Sequence, residues 1–358
     1  VYVCSPLILP PFGSRLRRAA NTRVLLPLLR RALGHLRFDP AVIITFLPTD
    51  TAASLVRMLR GPRSVVVYYC IADFAELSPN PRAILRSERE VIRMSDLVFA
   101  QGPRLAERAS LGGTKRVEIF TFGVNLDVFA GGDERGLPDQ DSPAAALMSA
   151  LPRPIIGYVG GIHRAFDVEM VATMARARPR WSWVLVGPQQ SQARELKRLP
   201  NIYLTGAKAH EELPGYVRRF DVGIVPYRRN GYTATVVPTK INEYLAMGKP
   251  VVSTNLPEVV SSVGGRDAVV LTCENRPGEF INTIERALLS AGHDAEAARR
   301  RTAAAANDWA ERSERMSRLI EQKLRGVGRT PSVRDGNREQ SSGHNGRQPP
   351  LRNDENGR

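Results

Sequence analysis

Apolar and polar positions along this chain alternate between two periods. Short runs rich in β-branched residues recur, and helical spacing fills the stretches between them. Val1–Ser5, Ala41–Phe46, Ser64–Tyr69, Asp96–Ala100 and Arg116–Phe120 read as strands. Thr51–Arg60, Arg82–Met94 and Pro103–Ser110 read as helices, the last with proline in its first turn. Asn21–Leu36 is a basic amphipathic helix whose Pro27 delays its start or kinks it. Gly131–Pro152 is polar and turn-rich and reads as a linker. A second alternation follows. Its strands are Ile155–Val159, Trp181–Val186, Ile202–Thr205, Asp221–Pro226, Pro250–Ser253 and Ala268–Thr272. Its helices are Asp167–Arg178 and His210–Phe220, followed by the long Glu279–Ala291 and Ala295–Leu324. Gly326–Arg358 has almost no apolar residues, so it cannot offset its chain entropy and reads as disordered. Strands alternating with helices predict parallel sheets covered on both faces. The expected class is α/β with two doubly wound domains. They occupy 1–131 and 154–292, with a linker at 132–153, a C-terminal helix at 293–325 and a tail at 326–358.

Composition narrows the picture. No apolar run approaches the roughly 20 residues of a membrane span. No basic stretch precedes Val1-Tyr2-Val3, so no leader is expected. Cys4, Cys70 and Cys273 lie far apart without metal spacing, and read as small buried hydrophobes in a reducing, cytoplasmic compartment. The net charge of +15 favours acidic partners: nucleotide diphosphates, anionic lipid surfaces or nucleic acid. Aromatic residues make up only 6%, and no RNA or DNA motif appears, so nucleic acid is not the expected partner. The Asp139-Gln140-Asp141 triplet lies in the polar linker and reads as solvated turn residues, not as a metal site.

One stretch carries chemistry: VVPTKINEYLAMGKPVVSTNLPEVV, Val236–Val260. Pro238-Thr239 is a turn signal ahead of an apolar run. Thr239 is placed to cap a helix through Ile241, Tyr244 and Leu245, Gly248 stops it, and Pro250 opens a buried strand. Lys240 falls in the first turn, where a cation opposes the helix dipole and a bound anion would relieve it. Glu243 lies one turn on. A cation and N–H groups for phosphate, with a carboxylate able to accept two hydroxyl hydrogens, suit a sugar nucleotide. A capped amphipathic helix with one Lys–Glu pair accounts for the spacing equally well.

The pattern P-T-K-x-x-E-Y-L-A-x-G-K-P-V-V resembles the donor-binding segment of retaining glycosyltransferases of the GT-B fold, family 4 or group 1 type. That resemblance implies two Rossmann-like domains facing a cleft, a nucleotide-diphosphate sugar as donor, and neither metal nor other cofactor. It puts Glu243 on the ribose, and Lys240 and the Pro238-Thr239 turn beside the diphosphate. Where the family often has a further glutamate, eight positions earlier, this chain has Thr235. With Asn230 and Thr233, Thr235 is a polar candidate for donor contact.

Other pieces extend the resemblance. G-Y-V-G-G-I-H-R-A-F-D-V-E-M, Gly157–Met170, looks like the first strand and loop of the donor domain. Gly160 and Gly161 would let backbone approach a phosphate or sugar, Arg164 is the available cation, and His163 is a hydrogen-bonding candidate. Two glycines after a strand also mark a plain tight turn. Trp181–Pro188 and Asn201–Gly206 resemble the strands flanking the nucleotide base, with Gly187 at a carboxyl end. Phe220–Tyr227 resembles the strand leading toward Glu243. In the first half, Asp73 lies just past a strand end, where it orients an acceptor hydroxyl or caps a helix. Phe122–Phe129 resembles the signature before the interdomain linker, with Asn125 for the usual aspartate and Phe122 for the usual asparagine. The family places one more strand, loop and helix ahead of the segment matching Val1, so the sequence is expected to start inside its first domain.

The expected activity is transfer of a sugar to an acceptor hydroxyl with retention, in cell-envelope or exopolysaccharide synthesis. Asp73, Arg164 and Lys240 are the expected catalytic residues. The acceptor is a saccharide or is lipid-linked, and an anionic membrane surface is a candidate partner for the Asn21–Leu36 helix. That helix carries Arg23, Arg30 and Arg31 beside Leu25, Leu26, Leu29 and Leu33. Packing of those leucines on a sheet is the other reading. An inactive or truncated sugar-nucleotide-binding protein, an epimerase of the same fold and a basic nucleic-acid-binding protein are the alternative functions.

Overall fold

The computed structural model describes residues 14–35, 39–111, 116–130, 143–191, 193–263 and 269–327. The strand expected at Val1–Ser5, the Asp139-Gln140-Asp141 turn and residues 328–358 of the expected tail lie outside them.

The first alternation becomes a parallel sheet. Its strands β1 (Val42–Thr45), β2 (Val65–Cys70), β3 (Leu97–Ala100) and β4 (Val117–Ile119) lie side by side in chain order. β2, VVVYYC, is buried along its whole length, as a strand covered on both faces must be. The flanking helices are α1 (Arg15–Ala20), α2 (Leu26–His35), α3 (Asp50–Leu59), α4 (Phe74–Leu77), α5 (Pro81–Met94), α6 (Pro103–Leu111) and α7 (Leu126–Phe129). Helix therefore starts earlier than Asn21. A π turn at Asn21–Leu25 joins α1 to α2, and Pro27, which lacks a donor, sits just beyond it.

The second half builds a larger sheet, in the order β10-β9-β8-β5-β6-β7 and parallel throughout. These strands are β5 (Ile155–Val159), β6 (Ser182–Val186), β7 (Ile202–Gly206), β8 (Val222–Val225), β9 (Val251–Thr254) and β10 (Val270–Cys273). Helices α8 (Pro143–Ser149), α9 (Val168–Ala177), α10 (Leu213–Val217), α11 (Thr239–Ala246), α12 (Pro257–Val263) and α13 (Pro277–Leu289) surround it. The strand order reverses between β5 and β8. In an open α/β sheet, ligands bind in the crevice beyond the carboxyl ends of the strands at such a reversal.

Three expectations need correction. The linker 132–153 is not all loop, because α8 folds inside it and buries Ala144 and Met148 in the second core. α12 was not foreseen; its serines (PEVVSSV) weaken the apolar signal. The single C-terminal helix is two, α14 (Asp294–Ala305) and α15 (Trp309–Val327). Between them the backbone meets the first domain. Val124 N–H donates to Asn307 O at 2.9 Å, and Trp309 N–H donates to Val124 O at 3.1 Å. α15 then crosses back, placing Met316, Leu319, Ile320 and Leu324 over Val65, Val67, Phe99 and Phe120. Its apolar period of three to four residues was legible, but the break was not, since Ala306-Asn307-Asp308 carries neither glycine nor proline.

Other contacts join the halves. Gln101, 2% exposed, donates its side-chain amide to Val237 O at 3.1 Å. Asn242 donates to Phe122 O at 3.0 Å. Glu258, 1% exposed, accepts the Arg104 N–H at 2.8 Å in the first turn of α6. Burial pushes its carboxyl above the ordinary value, against the pull of that amide and of Arg104.

Candidate functional site

The crevice between β5 and β8 is built from two loops and the start of α11. After β5 the chain turns through Gly160, whose φ of +135° only glycine adopts without strain. Gly187, after β6, has φ +147° and lies against it; a Cβ there would sit 2.1 Å from Gly160 O. The two backbones are cross-linked: Gly160 N–H donates to Val186 O at 2.8 Å, and Ile162 N–H to Pro188 O at 2.9 Å.

Lys240 fills the floor. Only 8% exposed, it donates to the Tyr227 hydroxyl at 2.7 Å. Its ammonium faces the rings of Tyr158 and Tyr227, 5.3 and 5.0 Å from their centroids. A Cβ at Gly160 would lie 2.9 Å from Lys240 Cε, so the glycine loop and the lysine share one small volume. The discomfort expected of a cation in a helix's first turn is thus offset by a hydroxyl and two aromatic faces. Thr239 is not the cap: Pro238 occupies that position, and no side chain caps α11. Its first N–H groups lack a capping side chain, which suits an anion-binding end.

The helix is held in place by Tyr244, fully buried, whose hydroxyl accepts the Val159 N–H at 2.7 Å. Glu243, half-buried, stands one turn from Lys240. Among the described residues no hydrogen bond or ion pair engages its carboxylate. Burial raises its pKa, and Lys240 and His210 oppose this. His163 accepts the Ala165 N–H at 3.1 Å through Nδ1, and its ring meets Tyr227 edge-on at 5.5 Å. Its pKa is lowered by burial first, then by Lys240 and Arg164. Arg164 lies over the Tyr232 ring, 5.6 Å from its centroid.

The remaining sequence candidates divide. Gly160, Gly161, His163, Gly187, Pro238, Thr239 and Lys240 gather around the crevice, with Glu243 at its side. Thr233 is fully buried; its hydroxyl donates to Arg228 O and accepts from Asn230 N–H, so these two residues form the loop. Thr235 spends its hydroxyl on Tyr232 O at 3.0 Å. Asp73 stands apart: it caps α4 through the Ala75 and Glu76 N–H groups and pairs with Arg108. Of its two sequence readings, capping is the one this geometry fills. Glu76, three residues on, reaches across instead; a Cβ on Gly231 would lie 2.4 Å from its Oε2. Tyr158, inside β5, and Tyr227, just past β8, are not among the sequence candidates. Their position at the carboxyl ends of β5 and β8 was the available signal. Among the described residues no group of His, Cys, Asp or Glu is placed to hold a metal ion.

Comparisons with known proteins bear on the fold and on the second domain. Residues 153–290 match the family described as Glycosyl transferases group 1. TuaH of Bacillus subtilis (strain 168), whose name assigns it to teichuronic acid biosynthesis as a glycosyltransferase, is 30% identical over 242 residues. That match takes in 65% of this chain and 59% of TuaH, so the chain spans well under two thirds of that relative's length. Among solved structures, sucrose-phosphate synthase from Thermosynechococcus elongatus aligns with a TM-score of 0.66 at 17% identity, covering 90% of this chain and 83% of that one. Anabaena Alr3699/HepE, solved with UDP, aligns with a TM-score of 0.63 at 14% identity, covering 83% and 82%. At such identities these structures establish the fold alone.

Proposed function

We propose that this chain, whose residues 153–290 carry a glycosyl transferase group 1 domain within a GT-B fold, moves a sugar from a nucleotide diphosphate to an acceptor hydroxyl with retention. One observation supports this above the others. A buried lysine and a glycine-lined backbone turn share the switch-point crevice, and an unengaged carboxylate stands one helical turn away. The cation and the α11 amides suit a departing diphosphate, whose growing charge they stabilise without rearrangement. The Glu243 carboxylate suits the two ribose hydroxyls. TuaH's name and the basic, crevice-bearing surface support an envelope polysaccharide as the product class.

A panel of UDP-, GDP- and TDP-sugars tests the reading by thermal shift, since a ligand that binds only the folded state raises its melting temperature. Stabilisation by oligonucleotides alone would overturn it. Glu243→Ala should weaken nucleoside diphosphate binding about tenfold or more, the value of one charged hydrogen bond. Calorimetry showing unchanged affinity would remove Glu243 from the ribose.

The acceptor is proposed to be lipid-linked, with the chain resting on the inner face of a membrane. Among the described residues no helix is long and apolar enough to cross one. The supporting feature is the α1–α2 stretch. It leaves Leu16 83%, Val24 54% and Leu28 60% exposed, with exposed Arg17, Arg23, Arg30 and Arg31 alongside. Each surface arginine contributes about 1 kcal/mol on an anionic leaflet. Vesicles containing anionic lipid should therefore float with the protein at low salt and lose it at high salt. Flotation that ignores lipid charge, or its absence, sinks the membrane reading.

A further inference from the structure

We infer that the protein holds a second anion site at the far end of α11, a cavity rimmed by Arg218, Lys249 and Arg301 that accepts a phosphate group. α11 ends at Ala246, and the chain reverses through Gly248 at φ +70°. The Lys249 N–H returns to Tyr244 O at 2.9 Å, and its ammonium donates to Arg218 O, just past α10. Arg300, from α14, donates to Gly248 O at 3.2 Å. The carboxyl ends of α10 and α11 thus already have cations on carbonyls just past their last turns.

Arg301 is additional to that arrangement. Its guanidinium carbon lies 3.3 Å from where a Gly248 Cβ would be, and among the described residues no carboxylate pairs with it. A cavity of 160 Å³ opens between it, Arg218 and Lys249, floored by Phe129, Ala130, Ala246 and Met247. Arg153 adds a further positive charge near Lys249, and Asp221 is the acid acting on it. Asp221 is already committed, to Arg153 at 2.6 Å and to the Ile155 N–H at 2.6 Å. Burial lowers the Lys249 pKa, opposed by Asp221 and reinforced by Arg153, Arg218 and Arg301.

Three cations around one small polar-rimmed space match a phosphate better than a carboxylate. A guanidinium fork takes two oxygens and the ammonium a third, and the dianion offsets more of the local charge. The site is separate from the donor crevice. Lys240 and Ala246, which lines the cavity floor, are six positions apart along α11, about 9 Å of helical rise, and Arg153, Asp221 and Lys249 all precede the amino ends of strands. It therefore stands independently of the donor reading.

The test is inorganic phosphate binding by the full chain, followed by melting temperature at constant ionic strength in chloride. It is run on wild type and on Lys240→Ala, where the donor crevice contributes less. On both backgrounds Arg301→Ala should raise the apparent Kd for phosphate about tenfold or more, and Arg301→Lys should recover part of the loss. Arg180→Ala, at an exposed arginine outside the cavity, should change nothing. No phosphate-dependent stabilisation in Lys240→Ala, or equal losses in Arg301→Ala and Arg180→Ala, overturns the site. Failure of the donor reading would appear elsewhere, as unchanged nucleoside diphosphate affinity in Lys240→Ala.

Discussion

On the proposed function, Lys240→Ala should cut sugar transfer roughly a hundredfold or more, the cost of removing one fixed charge stabiliser from a water-excluded site. Binding of a nucleoside diphosphate should weaken by at least about tenfold while the bare nucleoside is spared, because only the phosphates meet the cation. Paired titrations of the two ligands on wild type and variant check this. Equal losses, or none, would make Lys240 a structural lysine. Position in the first turn alone suggests that the free protein would lose nothing, or even gain. The Tyr227 hydrogen bond and the two ring faces reverse that expectation, and the variant should lose about 1–3 kcal/mol of stability. A second readout follows from His163. One of the three influences lowering its pKa would vanish, so the value should rise toward the ordinary one but stay below it, since burial and Arg164 remain.

Gly187→Ala should be strongly destabilising. Its φ of +147° costs an L-residue about 1–3 kcal/mol. The added methyl would meet Gly160 O at 2.1 Å, and neither backbone can yield without opening the crevice, which adds about 1–3 kcal/mol more. A fall in Tm on the order of 10 °C is expected, with nucleotide affinity lost in the fraction that folds. Gly206→Ala separates the two causes. Gly206 has φ +73° but nothing within 4 Å of its Cβ position, so strain acts there without collision. If the two variants melt alike, the Gly160–Gly187 contact is not what fixes the loop.

Most strands were legible because a buried parallel strand leaves a contiguous β-branched run. Ile155–Val159 matches to the residue, and the other described strands match within a residue or two at either end. Domain-spanning features were not, since each depends on residues far apart in sequence. Nothing around Glu258 announces that its carboxylate meets the amino end of α6, 154 positions away. The helix break at Asn307 exists because Val124 supplies backbone partners on both sides of it. The candidate site divided the same way. Gly160, Lys240 and Glu243 stand out in the sequence because glycines after a strand, a cation in a helix's first turn and a carboxylate one turn on suit a sugar nucleotide, and the structure brings Gly160 and Lys240 into one small volume. Tyr158 and Tyr227 carry no such signal, because a tyrosine in a strand, or just past one, is ordinary. Asp73 was overvalued because a carboxylate after a strand caps the next helix as readily as it meets a substrate.

The crossing of α15 bears on how the chain is made. Val65, Val67, Phe99 and Phe120 wait for a cover that comes from Met316 to Leu324. On a ribosome, those residues emerge after the whole second domain. Domains usually finish in the order of synthesis. Here the sheet of the earlier-synthesised half lacks this cover until α15 has followed the second domain out of the exit tunnel.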